Sequence, residues 1–174
     1  MNTANKLTLI RIALIPVFLV LLYIDLSISR YAAMAVFIAA GLTDIADGYI
    51  ARRRGQVTDF GKFLDPLADK VLVVAAMLWF VERGAMPAWV ALIVIIREFM
   101  VTALRLIAVD SGRVIAAGIL GKIKTIVTMV CLTAMFLPLQ QWMNYTCLAA
   151  ITITTLISGI EYFIKNKDVI SWKK

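Results

Sequence analysis

The sequence predicts an all-α membrane protein, a six-transmembrane-helix bundle in one domain over residues 1–174, and three observations carry that expectation. First, 62% of the 174 residues are hydrophobic and the mean hydropathy is +0.90. Soluble domains are about 45–50% apolar, so the excess is too large for a single buried core and calls for lipid as the solvent. Second, the apolar residues fall into six segments, roughly 7–24, 31–52, 62–81, 87–109, 122–139 and 143–164. Each approaches the ~20 residues a helix needs to cross the hydrocarbon layer. Third, the basic residues cluster on alternate connections, as the positive-inside rule requires of a multi-pass protein.

Each element has its own signal. The first segment begins beside Lys6 and Arg11 and becomes continuously apolar from Leu14. It lacks a small-residue cleavage site and reads as a retained helix, which Pro16 is expected to kink. The second segment runs into a polar end that carries Asp44 and Asp47 and then Arg52, Arg53 and Arg54. The third opens with Lys62, Asp65 and Asp69, and Pro66 fits the first turn of a helix, where its missing N–H is not needed. The fourth is apolar except for Arg97, Glu98 and Arg105. Lys122 and Lys124 open the fifth, and Lys165, Lys167, Lys173 and Lys174 follow the sixth. Arg113 also flanks the fourth connection, whereas the first and third hold only Arg30 and Arg83 and the fifth no Lys or Arg. Both termini are thus expected on the cytoplasmic side of the cell membrane. Period-2 alternation is lacking, and an open sheet edge cannot face lipid, which argues against strands. Trp79, Trp89, Trp142 and Trp172 fall near helix ends and suit interfacial belts. The eight methionines suit packing and lipid contact.

Composition narrows the chemistry. The chain has no histidine, which excludes imidazole bases, Ser-His-Asp catalysis and His-ligated zinc. Its two cysteines, Cys131 and Cys147, form no metal-binding spacing. Any bound metal must be held by carboxylates, which favours hard ions such as Mg²⁺, Mn²⁺ or Ca²⁺. The net charge of +7 is read as loops facing anionic lipid, with no nucleic acid partner.

Four aspartates stand where hydropathy does not explain them. Asp44 and Asp47 are spaced i,i+3 and Asp65 and Asp69 i,i+4, so each pair projects from one helix face. A short connection makes the two helices antiparallel neighbours, and the four carboxylates can converge. Four desolvated anions would be costly alone, and two divalent cations would balance them. Gly48 lets a phosphate approach the helix backbone, and Arg52, one turn further on, suits a bidentate phosphate contact. Two other readings use the same residues. The aspartates could solvate helix ends and pair with nearby arginines, or mark the path of a divalent-cation transporter.

The pattern Asp44-x₂-Asp47-Gly48-x₂-Ala51-Arg52-x₈-Gly61-x₃-Asp65-x₃-Asp69 resembles the signature of the CDP-alcohol phosphotransferases at all eight positions. Asn5-Lys6-Leu7-Thr8-Leu9-Ile10-Arg11 is similar to that family's N-terminal segment. Arg97-Glu98, Arg105 and Gly121-Lys122-Ile123-Lys124-Thr125 resemble its phosphatidylglycerophosphate-forming branch. The resemblance implies six helices and a homodimer. It implies that Asp44, Asp47, Asp65 and Asp69 hold two divalent ions, Mg²⁺ or Mn²⁺, with Asp69 also the catalytic general base. Gly48, Arg52 and Thr58, helped by Asn5 and Thr8, would bind the CDP-lipid. It further implies phosphatidyl transfer from CDP-diacylglycerol to sn-glycerol 3-phosphate with release of CMP.

A phosphorylated acceptor needs cations of its own. Arg97 and Arg105, eight residues apart, can share a helix face. With Lys122 and Lys124 they form the expected acceptor phosphate site. The lysines also suit plain membrane anchors, and Arg97 also suits a pair with Glu98 or an aspartate. Two positions depart from the branch: Thr128 stands where glutamine is usual, and Gly118 replaces a serine or threonine. A sister enzyme acting on inositol phosphate, serine or phosphatidylglycerol is the alternative within the family.

Overall fold

In a computed structural model the backbone is described at residues 3–24, 26–54, 59–110, 112, 115–116 and 118–169. Side chains are described at 12–24, 26, 28–43, 70–109, 112, 115–116 and 118–169. All regular structure among these residues is helical: α1 (Thr3–Tyr23), α2 (Ser27–Arg54), α3 (Asp59–Glu82), α4 (Ala88–Asp110), α5 (Ile119–Met135) and α6 (Gln141–Lys165), then a 3₁₀ turn at Lys167–Val169. The six expected segments each match one helix.

The ends follow local chemistry. α3 is closed by Gly84 in the left-handed region (φ 70°), with the Ala85 and Met86 N–H groups donating to the Phe80 carbonyl at 2.9 and 3.1 Å. A glycine there satisfies the last carbonyls without the Cβ penalty. Gly112 (φ 72°) follows α4 in the same way. α5 stops at Met135, short of the expected residue 139, because Pro138 pushes Leu137 out of the helical region. α3 starts at Asp59, so Pro66 is its eighth residue and stands beyond its first turn. Pro16 lies inside α1, where it withdraws one helix N–H.

The chain packs as two compact units, residues 1–79 with 136–138, and 80–135 with 139–174. In the first unit α1 packs on α2. Phe18, Phe37, Trp79 and Phe136 form an aromatic knot with ring centroids about 6 Å apart: Phe18–Phe37 5.9, Phe18–Phe136 6.2, Phe37–Phe136 5.9 and Trp79–Phe136 5.9 Å. Trp79 Nε1 donates to the Leu22 carbonyl at 3.1 Å, and Arg30 Nη2 to the Leu137 carbonyl at 3.3 Å. The end of α1, the start of α2, the end of α3 and the 136–138 segment therefore meet at one end of this unit. The expectation for Trp79 is corrected: it is 7% exposed and packed in the knot, not facing an interface. A buried indole N–H needs an acceptor, and Leu22 supplies it. Trp89 and Trp142 are exposed at the starts of α4 and α6, while Trp172 lies outside the described residues.

In the second unit α4 and α5 both pack on α6. Val101 and Leu104 of α4 bury against Tyr162 of α6, with Ile115, Phe163 and Val169 around them. Beside this apolar core the unit buries several polar side chains and exposes many large apolar ones. Lys124, Thr128, Thr155 and Ser158 are buried, while Phe99, Leu106, Ile119, Val130, Ile160 and Ile164 are exposed. Among the described residues, α6 is long and apolar enough to cross a membrane, and Ile12–Tyr23 and Ile28–Thr43 are shorter apolar stretches.

Candidate functional site

Asp44, Asp47, Gly48 and Arg52 fall within α2, Asp65 and Asp69 within α3, and Asn5 and Thr8 within α1. Their side chains, and Thr58 altogether, lie outside the described residues. The basic residues expected to take the acceptor phosphate are described and all belong to the second unit. Arg97 and Arg105 sit on α4, and Lys122 and Lys124 on α5.

The structure joins two of these four through a carboxylate. Glu98 Oε1 accepts from Arg97 Nη1 at 2.9 Å and from Lys124 Nζ at 2.8 Å. The order of depth is informative: side-chain exposure is 5% for Lys124, 12% for Arg97 and 23% for Glu98. Both cations lie deeper than the carboxylate that bridges them. Ions in so dry a setting persist only when paired, and Glu98 supplies the pairing.

Two glycines make the seat for Arg97. A Cβ at Gly121 would lie 3.3 Å from Arg97 Nη2, and one at Gly159 would lie 3.3 Å from Arg97 Cγ. Small residues here let α5 and α6 close around a long side chain, as they do wherever helices approach tightly in lipid. Arg97 Nε is buried with no partner among the described residues. The guanidinium thus keeps one donor without a partner among the described residues.

Arg105 is held differently. Its Nε donates to the Tyr162 hydroxyl at 3.1 Å, with the guanidinium carbon 5.6 Å from the ring centroid. Arg105 is exposed, so its terminal amino groups form an open fork suited to a phosphate or carboxylate. Both α4 arginines face α6, as their spacing predicts: Arg97 meets Gly159 and Arg105 meets Tyr162. Lys122 is exposed on α5, and Lys165 is paired with Glu161 on α6.

The two departures from the expected branch pattern also have a place. Thr128 is 2% exposed, with its hydroxyl unpartnered among the described residues. A Cβ at Gly118 would lie 3.7 Å from Glu161 Oε2, an ordinary contact, so the glycine is not forced there by crowding.

Tyr162 and Gly159 have no counterpart in the sequence reading. Glu98 and Gly121 enter it only within the Arg97-Glu98 and Gly121-Lys122-Ile123-Lys124-Thr125 segments, with Glu98 also a partner for Arg97, although a glutamate is as unusual in an apolar helix as Arg97 itself.

The CDP-alcohol phosphatidyltransferase profile matches residues 1–158, which run through both units. A CDP-diacylglycerol–glycerol-3-phosphate 3-phosphatidyltransferase of Bacillus subtilis (strain 168) is 40% identical over 188 residues, covering 97% of each chain. A protein of the same name from Escherichia coli (strain K12) is 38% identical over 169 residues, covering 92% of each. A probable phosphatidylglycerophosphate synthase of Mycobacterium tuberculosis (strain ATCC 25618 / H37Rv) is 40% identical over 167 residues, covering 92% of this chain and 79% of the relative. The chain belongs to the CDP-alcohol phosphatidyltransferase family.

Proposed function

We propose that this chain transfers the phosphatidyl group of CDP-diacylglycerol to sn-glycerol 3-phosphate, releasing CMP and forming phosphatidylglycerophosphate. The observation that carries the reading is the eight-position acidic pattern in a chain 38–40% identical, over most of its length, to relatives bearing that activity in their names.

The chemistry divides between the units. Asp44 and Asp47 on α2 and Asp65 and Asp69 on α3 would hold two divalent ions, Mg²⁺ or Mn²⁺. Their donor set is all oxygen in a chain without histidine, which suits hard cations. Bound there, such ions would neutralise the pyrophosphate and offset the charge that develops in displacement. Asp69 takes the proton of the attacking primary hydroxyl. Gly48, Arg52 and Thr58, with Asn5 and Thr8, hold the CDP-lipid. In the second unit the Arg105 fork and Lys122 receive the acceptor phosphate, and the deeper Arg97 and Lys124 add positive potential behind them.

The helices are read as a six-span bundle in the cytoplasmic membrane, with both termini cytoplasmic and both units acting as one transmembrane domain. The exposed apolar faces of α4, α5 and α6 support this, because lipid tolerates such surface, and so do the polar side chains buried among those helices. The protein is read as a homodimer surrounded by membrane lipid.

The test is direct. Purified protein in detergent is given CDP-diacylglycerol and glycerol 3-phosphate, and CMP is measured. Release is expected with Mg²⁺ or Mn²⁺ and not with excess chelator. No CMP with any small alcohol or phosphorylated alcohol would sink the class. The buried Thr128 and the uncrowded Gly118 favour one second reading, a sister enzyme with another acceptor. A panel of inositol phosphate, serine and phosphatidylglycerol separates the two.

A further inference from the structure

We propose that Glu98 is a positioning residue for the acceptor pocket, setting where the positive charge of Arg97 and Lys124 stands beneath the incoming phosphate. This inference rests on the acceptor reading above. Three observations carry it.

The first is the sharing of one oxygen. Arg97 Nη1 and Lys124 Nζ both reach Glu98 Oε1, at 2.9 and 2.8 Å, so a single atom ties α4 to α5. Two cations this close repel, and without an anion between them their ends would move apart. The second is the glycine seat. Gly121 and Gly159 pack against opposite parts of the Arg97 side chain, at its Nη2 end and its Cγ. The stem is confined while the guanidinium is steered by the carboxylate. A seat this tight converts a small change in carboxylate position into a change in guanidinium orientation.

The third is the charge balance. Among the described residues, the cluster holds two cations and one carboxylate, a net positive charge in a nearly dry site. Arg97 also holds a buried Nε donor with no partner among the described residues. The cluster is therefore stable when empty yet keeps attraction for one more anion. Arg105, two turns further along α4, presents its open fork on the same α6-facing side. A phosphate bound at that fork would feel the Glu98 cluster as a fixed field and need not displace the carboxylate.

Steady-state kinetics of Glu98→Asp and Glu98→Gln test this, in mixed micelles of detergent and CDP-diacylglycerol with Mg²⁺. Glycerol 3-phosphate is varied at saturating lipid, then lipid at saturating glycerol 3-phosphate, and thermal stability is followed in parallel. Glu98→Asp keeps every charge and shortens the reach by one methylene, so it carries the test if Glu98→Gln does not fold. The expected result is an acceptor KM raised about tenfold in Glu98→Asp and further in Glu98→Gln, with lipid KM within about twofold of wild type. Competitive inhibition by inorganic phosphate should weaken in step with the acceptor KM. A merely structural residue would lower stability and leave the KM of the folded enzyme alone. An unchanged acceptor KM in folded Glu98→Asp overturns the inference, as does an equal rise in both KM values. Wild-type protein inert toward glycerol 3-phosphate but active on another acceptor would overturn the acceptor reading instead.

Discussion

The two units are organised by opposite chemistries. The first is knotted by four aromatic rings, and its described polar contacts include side-chain donors reaching backbone carbonyls at helix ends. The second is seamed by a carboxylate between two cations, by buried hydroxyls and by glycines. On the proposed membrane reading, apolar side chains gain little by leaving the surface for the interior, so apolarity alone does not select a helix partner. The first unit selects by ring geometry, the second by charge and by the space a glycine leaves. The comparison also assigns work. A ring knot can hold a frame but cannot recognise an anion, whereas the seam can do both. On the proposed function, the first unit performs the transfer at the far ends of α2 and α3, and the second chooses the acceptor.

The strongest way to break that division is Asp69→Asn. If Asp69 belongs to the transfer chemistry, kcat should fall by about 10²–10⁴ for every acceptor tried, the contribution of a general base. Product formation with radiolabelled acceptors measures this. A variant that keeps its kcat and changes only the KM for one acceptor would put Asp69 in the recognition half and dissolve the comparison.

Phe136→Ala comes next and touches the frame alone. Phe136 is fully buried and contacts Phe18, Phe37 and Trp79. Emptying such a site costs about 3–5 kcal/mol where the neighbours cannot collapse. The midpoint of thermal unfolding in detergent should drop by several degrees or more, with both KM values of the folded protein within about twofold of wild type. A selective rise in acceptor KM would show that the knot also shapes the pocket.

What is legible in the sequence follows the same line. Helix number and order are legible because, in a chain this hydrophobic, apolar runs broken by charge encode little besides helices. The acidic pattern is legible because its spacing is set within single helices. Helix ends are less so: α5 stops early through the backbone clash before Pro138, a local rule that the apolar run to Leu139 obscures. Trp79 escapes sequence reasoning because position near a helix end does not say which way a ring faces. The seat for Arg97 is hidden because it joins residues from α4, α5 and α6. Gly159 is ordinary in its own helix, and Gly121, though part of a motif, shows its packing role only when Arg97 lies between the two. Pairings across helices leave little periodicity in a sequence.

The finest cut is within the seam itself, between the arginine and the tyrosine that steers it. Arg105→Ala removes the open fork, and charge-assisted hydrogen bonds contribute about 1.5–3 kcal/mol, so the KM for glycerol 3-phosphate should rise roughly ten- to hundredfold with lipid KM little changed. Tyr162→Phe keeps the fork and the ring but deletes the acceptor of the 3.1 Å bond from Arg105 Nε. That bond only orients the fork, and a typical single hydrogen bond is worth about 0.5–1.5 kcal/mol, so the same KM should rise only about two- to tenfold. The order matters more than either number. If Tyr162→Phe equals Arg105→Ala, the hydroxyl itself meets the acceptor and the arginine is its support. If Tyr162→Phe lowers stability but leaves acceptor KM untouched, the bond to Arg105 belongs to the frame, and the line between holding and recognising runs through α6.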